Sequence, residues 1–107
     1  MATQALLVLT TLGSADEARN FVTGLVADRL VACGTVLPKG ASIYWWEGAI
    51  TEEEEVVVLL KTDASKWEEL AVAVEERHPY EVPELLAFPA ERGLERYLGW
   101  LTDEVSA

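Results

Sequence analysis

The 107-residue chain carries one histidine, His78, and one cysteine, Cys33, and these two side chains bound the chemistry open to it. His78 opens the segment His78-Pro-Tyr-Glu-Val-Pro-Glu84, in which Glu81 and Glu84 add carboxylates and two prolines stiffen the backbone. An imidazole beside carboxylates suits a divalent cation or general-base work. The competing role is structural: a helix-end imidazole that bonds terminal carbonyls or packs beneath the proline loop. On the residues alone the structural role is preferred. One histidine gives no multi-histidine metal site within a subunit; a symmetric oligomer gathers several only if His78 faces its axis. Cys33 lies in the apolar run Val31-Ala-Cys-Gly-Thr-Val36. A reactive thiol needs a basic or helix-N-terminal neighbourhood, and Arg29 is the only base nearby in sequence. The run therefore predicts a buried small hydrophobe. A Cys33–His78 nucleophilic pair also needs an orienting third group and an oxyanion hole, and no pattern supplies either.

Anion chemistry has little support. The loop Thr10–Ser14 precedes a predicted helix, whose N-terminus attracts anions, but Asp16 and Glu17 occupy the first turn and repel phosphate. No phosphate-cradling or dinucleotide fingerprint is present. The run Glu52–Glu55 reads as a solvated acidic turn. Across the chain 19 Asp and Glu face 8 Lys and Arg, a formal net charge of −11. Nucleic-acid affinity rests on basic residues neutralising phosphates, so nucleic acid is excluded as a partner, and so is an anionic membrane surface. No apolar stretch is long enough to span a bilayer. The start of the chain lacks the basic residues of a secretory signal, and a single cysteine forms no internal disulfide. Together these predict a cytoplasmic protein.

The elements that must position these side chains follow from periodicity. Ala5–Leu12 is a short apolar run that predicts a strand buried on both faces. Ser14-Ala-Asp-Glu17 is a capping box, opening a helix with apolar residues at Ala18, Phe21, Val22, Leu25 and Val26. Val31–Leu37 and Ala41–Glu47 predict one long strand, kinked or bulged at Pro38–Gly40. Glu47-Gly48 and Glu52–Glu55 mark the next turn region, and Val56–Thr62 is a third strand. Ser65-Lys-Trp-Glu68 is a second capping box, and its helix ends at Arg77-His78 before Pro79. Glu84–Phe88 predicts a fourth strand. Leu94, Tyr97, Leu98 and Leu101 predict a short third helix, with an unremarkable tail after it. The β-α-β-β-α-β order, with right-handed crossovers, folds into one α+β domain over residues 1–107. The architecture is a ferredoxin-like sandwich: a four-stranded antiparallel sheet, two helices on one face, and a short C-terminal helix.

One face of that sheet is short of cover. Alternation puts Ile43 and Trp45 on one side of their strand and Tyr44 and Trp46 on the other. Helices on a single face leave one aromatic pair in water, and the hairpin presents an unpaired edge. Pairing of subunits removes both problems. The alternative is that the third helix, with Tyr97 and Trp100, covers the second face.

Several segments resemble the CutA family of divalent-cation tolerance proteins: Arg29-Leu-Val-Ala-Cys-Gly-Thr-Val-Leu-Pro38, Ser42-Ile-Tyr-Trp-Trp-Glu-Gly48, Lys61-Thr62, His78-Pro-Tyr-Glu-Val-Pro-Glu84 and Tyr97-Leu-Gly-Trp-Leu101. The resemblance implies a homotrimer joined through the long second and third strands. It also implies a likeness to the nitrogen-regulatory PII proteins, which sense small molecules in clefts between subunits, and a link to tolerance of copper and other divalent metals without catalysis. In such a cleft the expected lining is Tyr44, Trp46, Lys61, Tyr80 and Glu84, with His78 as the metal ligand. Some members carry a cysteine near the end of the first strand and a second histidine before the His-Pro-Tyr motif. This chain has Thr10 and Arg77 there, neither of them a ligand for soft copper. The expectation is thus a homotrimeric binding or signalling protein with at most a weakly bound divalent cation, Cu or Zn. Direct metal buffering is the alternative.

Overall fold

A computed structural model of the chain describes residues 3–107. Strand β1 (Ala5–Leu12) leads into helix α1 (Ala15–Ala27), the long hairpin β2 (Cys33–Trp46) and β3 (Ala49–Asp63), helix α2 (Trp67–Arg77), strand β4 (Leu86–Pro89) and helix α3 (Glu95–Ser106). The four strands form one antiparallel sheet in the order β2-β3-β1-β4. This is the ferredoxin-like α+β arrangement that the element order predicts.

Strand alternation decides which side chains make the core. Val8 and Leu12 of β1, and Val56, Val58 and Leu60 of β3, point to one face. There they pack against Ala18, Phe21, Val22 and Leu25 of α1 and Leu70, Ala73 and Val74 of α2. Close approach of α1 to β2 requires a glycine at position 34: a Cβ there would sit 2.5 Å from Val22 Cγ1. Ser14 caps α1, its hydroxyl accepting from the Glu17 N–H at 3.1 Å.

The opposite face is covered at one end only. There α3 packs Leu101 and Val105 against Ala5 and Ala32, while Tyr97 and Trp100 stack on each other with ring centroids 5.7 Å apart and stay exposed. The third helix therefore does not roof the face. Leu7, Leu37, Leu86 and Phe88 remain exposed on it, and β2 forms a free edge.

The predicted kink is a β-bulge with a consequence for every residue beyond it. Pairing runs to Leu37↔Val57 and resumes at Gly40↔Glu55, three steps on β2 against two on β3. Pro38 has no N–H to give the ladder, and Lys39 takes a left-handed backbone conformation, φ 59°. The extra residue flips parity. Before the bulge, odd-numbered residues of β2 lie on the open face; after it, Ser42, Tyr44 and Trp46 do, opposite Glu53, Thr51 and Ala49.

Several boundaries differ from the sequence expectation. Glu52–Glu55 is not a turn. The chain reverses at Glu47-Gly48 alone, with φ of 49° and 80° as a two-residue hairpin turn requires, and the acidic run pairs with Gly40–Ile43 inside β3. Helix α2 has no Ser65 box: a 3₁₀ turn, Ala64–Lys66, precedes it, and the Asp63 carboxylate accepts from the Ser65 N–H at 2.9 Å. Strand β4 starts two residues later than expected. Helix α3 absorbs most of the tail, because Val105 completes a helical stripe with Leu98 and Leu101. Cys33 is half-buried rather than sealed in the core.

Candidate functional site

The site is assembled from the distal half of the hairpin and the loop that follows α2. His78 ends α2, is 7% exposed, and acts as a clasp. Its Nδ1 accepts from the Tyr80 N–H at 3.1 Å, which leaves the proton on Nε2 to be donated to the Thr11 carbonyl at 2.8 Å. The ring also meets Phe21 and Tyr80 edge-on, at 5.5 and 4.7 Å. With both nitrogens engaged, His78 ties the proline-stiffened loop to the end of β1 and offers no free lone pair to a metal.

That clasp places Tyr80 over β3, where its hydroxyl donates to Glu55 Oε2 at 2.7 Å. Glu55 is 8% exposed, an unusual burial for a carboxylate. Burial works to raise its pKa. The hydroxyls of Ser42, Tyr80 and Thr11, with the nearby His78 ring, more than offset this and hold it below the usual carboxylate value, so Glu55 is an anion. The Tyr80 phenol is pushed well above its usual value by burial and by its bond to Glu55, and stays protonated. Tyr44 is shifted the same way, by burial and then by the charge of Glu53.

Around this pair lies a groove of about 710 Å³, lined by Thr11, Ser42, Ile43, Tyr44, Trp46, Glu53 and Glu55 from the sheet and Tyr80, Glu81, Val82 and Glu84 from the loop. Four of the residues expected in a ligand cleft thus come together: Tyr44, Trp46, Tyr80 and Glu84. Two do not. His78 lies beneath the groove as its support. Lys61 sits six residues from Glu55 along β3, roughly 20 Å away, with its ammonium donating to Thr35 Oγ1 at 2.5 Å and 3.6 Å from Cys33 Sγ. The base beside Cys33 is therefore Lys61, its cross-strand partner, and not Arg29, which pairs with Glu104 at 2.7 Å.

Sequence reasoning missed Thr11, Ser42, Glu53 and Glu55. The available signal was the alternation of Glu53 and Glu55 in phase with Val57, hidden by reading the acidic run as a turn. The two positions at which this chain departs from the family resemblance, Thr10 and Arg77, are filled structurally. Thr10 is fully buried on the helix-covered face, and Arg77 pairs with Asp28 at 2.6 Å. Among the described residues no three of His, Cys, Asp and Glu converge as a metal-binding group, and no helix is long and apolar enough to cross a membrane.

Known proteins share this architecture and sequence. The family described as CutA1 divalent ion tolerance protein matches residues 6–104. The divalent-cation tolerance protein CutA of Citrobacter koseri is 39% identical over 98 residues, spanning 92% of this chain and 85% of that protein. The divalent cation tolerance protein Cut A1 of Thermus thermophilus superimposes with a TM-score of 0.90 at 38% identity, covering 94% of this chain and 97% of its own. CutA from Xylella fastidiosa superimposes with a TM-score of 0.93 at 33% identity, covering 96% and 99%. With the family match over residues 6–104 and these relatives similar in sequence and fold over nearly the whole chain, the protein belongs to the CutA1 divalent ion tolerance family.

Proposed function

We propose that this protein is a non-catalytic, homotrimeric binding and signalling protein of divalent-cation tolerance, copper included. In this reading it works in the cytoplasm in the manner of PII proteins, with its ligand held in the groove beside Tyr80. The observation that carries this reading is the coincidence of three features on one side of the molecule: an uncovered apolar face, the free edge of the 14-residue strand β2, and the groove. A second copy seated on the face and edge buries Leu37 and Phe88, pairs the open backbone groups of β2, and turns the groove into a cleft at the subunit boundary. The groove holds phenols kept protonated and carboxylates, which suits recognition rather than nucleophilic attack. Family membership supports the link to metal tolerance; the engaged ring of His78 favours an indirect link over metal buffering.

Light scattering at micromolar concentration tests the assembly and is expected to return three times the chain mass of 11.8 kDa. Leu37→Asp, which places a charge on the open face, is expected to shift the protein toward monomer while the far-ultraviolet circular dichroism is unchanged. A monomeric wild-type protein, or a Leu37→Asp trimer, overturns the reading. Loss of copper tolerance in cells lacking the protein, restored by the wild-type chain and not by Leu37→Asp, is the matching result in vivo.

A further inference from the structure

We propose that the groove takes a small organic cation, a molecule bearing ammonium or guanidinium groups. The inference rests on the reading above that this groove is the ligand site, and it names the class of ligand.

Size, charge and wall chemistry agree. A volume of about 710 Å³ is that of a small-molecule site. Among the described residues four carboxylates line it, from Glu53, Glu55, Glu81 and Glu84, and no Lys, Arg or His does. Of these, Glu55 carries the argument furthest. It is ionised and more than nine-tenths buried, and its neighbours are neutral hydroxyls and the His78 ring, whose nitrogens are committed elsewhere. Among the described residues no Lys or Arg forms an ion pair with it. The hydroxyls hold this anion in place but leave its charge unneutralised, so a cation entering the groove gains a Coulombic partner that water screens little. The walls are Tyr44, Trp46 and Tyr80, whose ring faces attract cations and repel anions. Trp46 is 47% exposed, so a ligand has surface left to cover.

The same features discriminate between ligands. Nucleotides and other phosphates meet four carboxylates and no donor cation. Bare divalent metals need a shell of converging donors, and among the described residues no three of His, Cys, Asp and Glu converge to form one. An organic cation needs no converging shell: one charged end reaches Glu55 while the aliphatic stem lies along the aromatic rings.

The test is calorimetry and tryptophan fluorescence on the wild-type protein with agmatine, spermidine, 1,4-butanediol, ATP and Cu(II) as separate probes. Agmatine and spermidine are expected to bind saturably and in competition with each other, while butanediol and ATP do not bind. Glu55→Gln, which keeps an acceptor for Tyr80, is expected to weaken the amines at least tenfold. Trp46→Ala, at an exposed position, is expected to weaken them several-fold, and Glu68→Gln on α2 to leave them unchanged. Amine binding that is absent, or equal in Glu55→Gln and wild type, overturns the proposal. So does ATP competing with agmatine, or Cu(II) binding more tightly than the amines at a site lost in Glu55→Gln. Light scattering on the same samples separates the two readings: a trimer that binds no amine breaks this inference alone, and a monomer that binds one breaks the assembly alone.

Discussion

On the helix-covered face of the sheet Val8, Val58 and Leu60 are wholly buried, whereas their chain neighbours Leu7, Val57 and Leu59, pointing the other way, are half-buried or exposed. The residue types are the same and the positions differ by one. The two crossover helices, α1 and α2, pack over the same face, and α3 reaches only one end of the other. The covered face thus holds the core of the single chain, and the open face keeps the apolar area that the proposed assembly would cover. Polar residues divide along the same line. Thr10 on the covered face has a buried hydroxyl without a partner among the described residues, while Thr11 on the open face lies beside Glu55 in the groove.

Truncating the two faces in parallel tests this division most severely. Leu60→Ala is expected to cost about 2–5 kcal/mol, the range for a fully buried leucine, and the cost should not depend on protein concentration. Its neighbour Leu59→Ala is expected to cost roughly 1 kcal/mol in the dissociated chain and more as assembly sets in. Urea unfolding at two protein concentrations separates them; equal costs at high dilution contradict the division.

A smaller effect comes from the groove. Tyr80→Phe removes a hydrogen bond to a buried anion and is expected to cost about 1–2 kcal/mol at neutral pH. The pH dependence gives it a signature. The phenol of Tyr80 titrates above its ordinary value of 10.0 in the folded chain, so above pH 10 the unfolded chain binds fewer protons than the folded one. The contribution of Tyr80 is therefore complete below pH 10 and lost as pH rises further. Glu55 behaves in the opposite sense: its depressed pKa gives stability above the ordinary carboxylate value of 4.5 that is lost as pH falls below it. Tyr80→Phe should flatten the alkaline limb of the stability profile. An unchanged limb would show that the Tyr80–Glu55 bond does not persist in solution.

The smallest effect is a gain. Thr10→Val exchanges the unpartnered hydroxyl for a methyl group of the same shape and is expected to stabilise the protein by about 1 kcal/mol. A loss of stability on thermal unfolding would mean that Thr10 has a partner, for instance a buried water.

Local rules read well from sequence wherever the determinant is a near neighbour. The Ser14 cap, the bounds of β1, the bulge after Pro38 and the opposite orientations of Tyr44 and Trp45 each depend on a few consecutive residues, and each stands in the structure. The same rules fail for Glu52–Glu55. Consecutive acids resemble a solvated turn by composition, and only pairing with Gly40–Ile43 draws them into a strand. The surroundings of Cys33 escape them for the same reason, because its basic neighbour is Lys61, 28 residues away across the ladder.

Sequence alone thus specifies the elements, their order, the covered face and the family, since periodicity, caps and turn residues act over one or two turns of chain. It also singles out the His78 loop, though not what the histidine does there. Folding adds the rest: His78 is spent on Thr11 and Tyr80, Glu55 is a buried anion, and Lys61 lies far from both. The long-range bonds among these join residues 25 to 67 positions apart. No local preference encodes them: they exist because β3 pairs alongside β1 and the proline-stiffened loop closes over the end of β1.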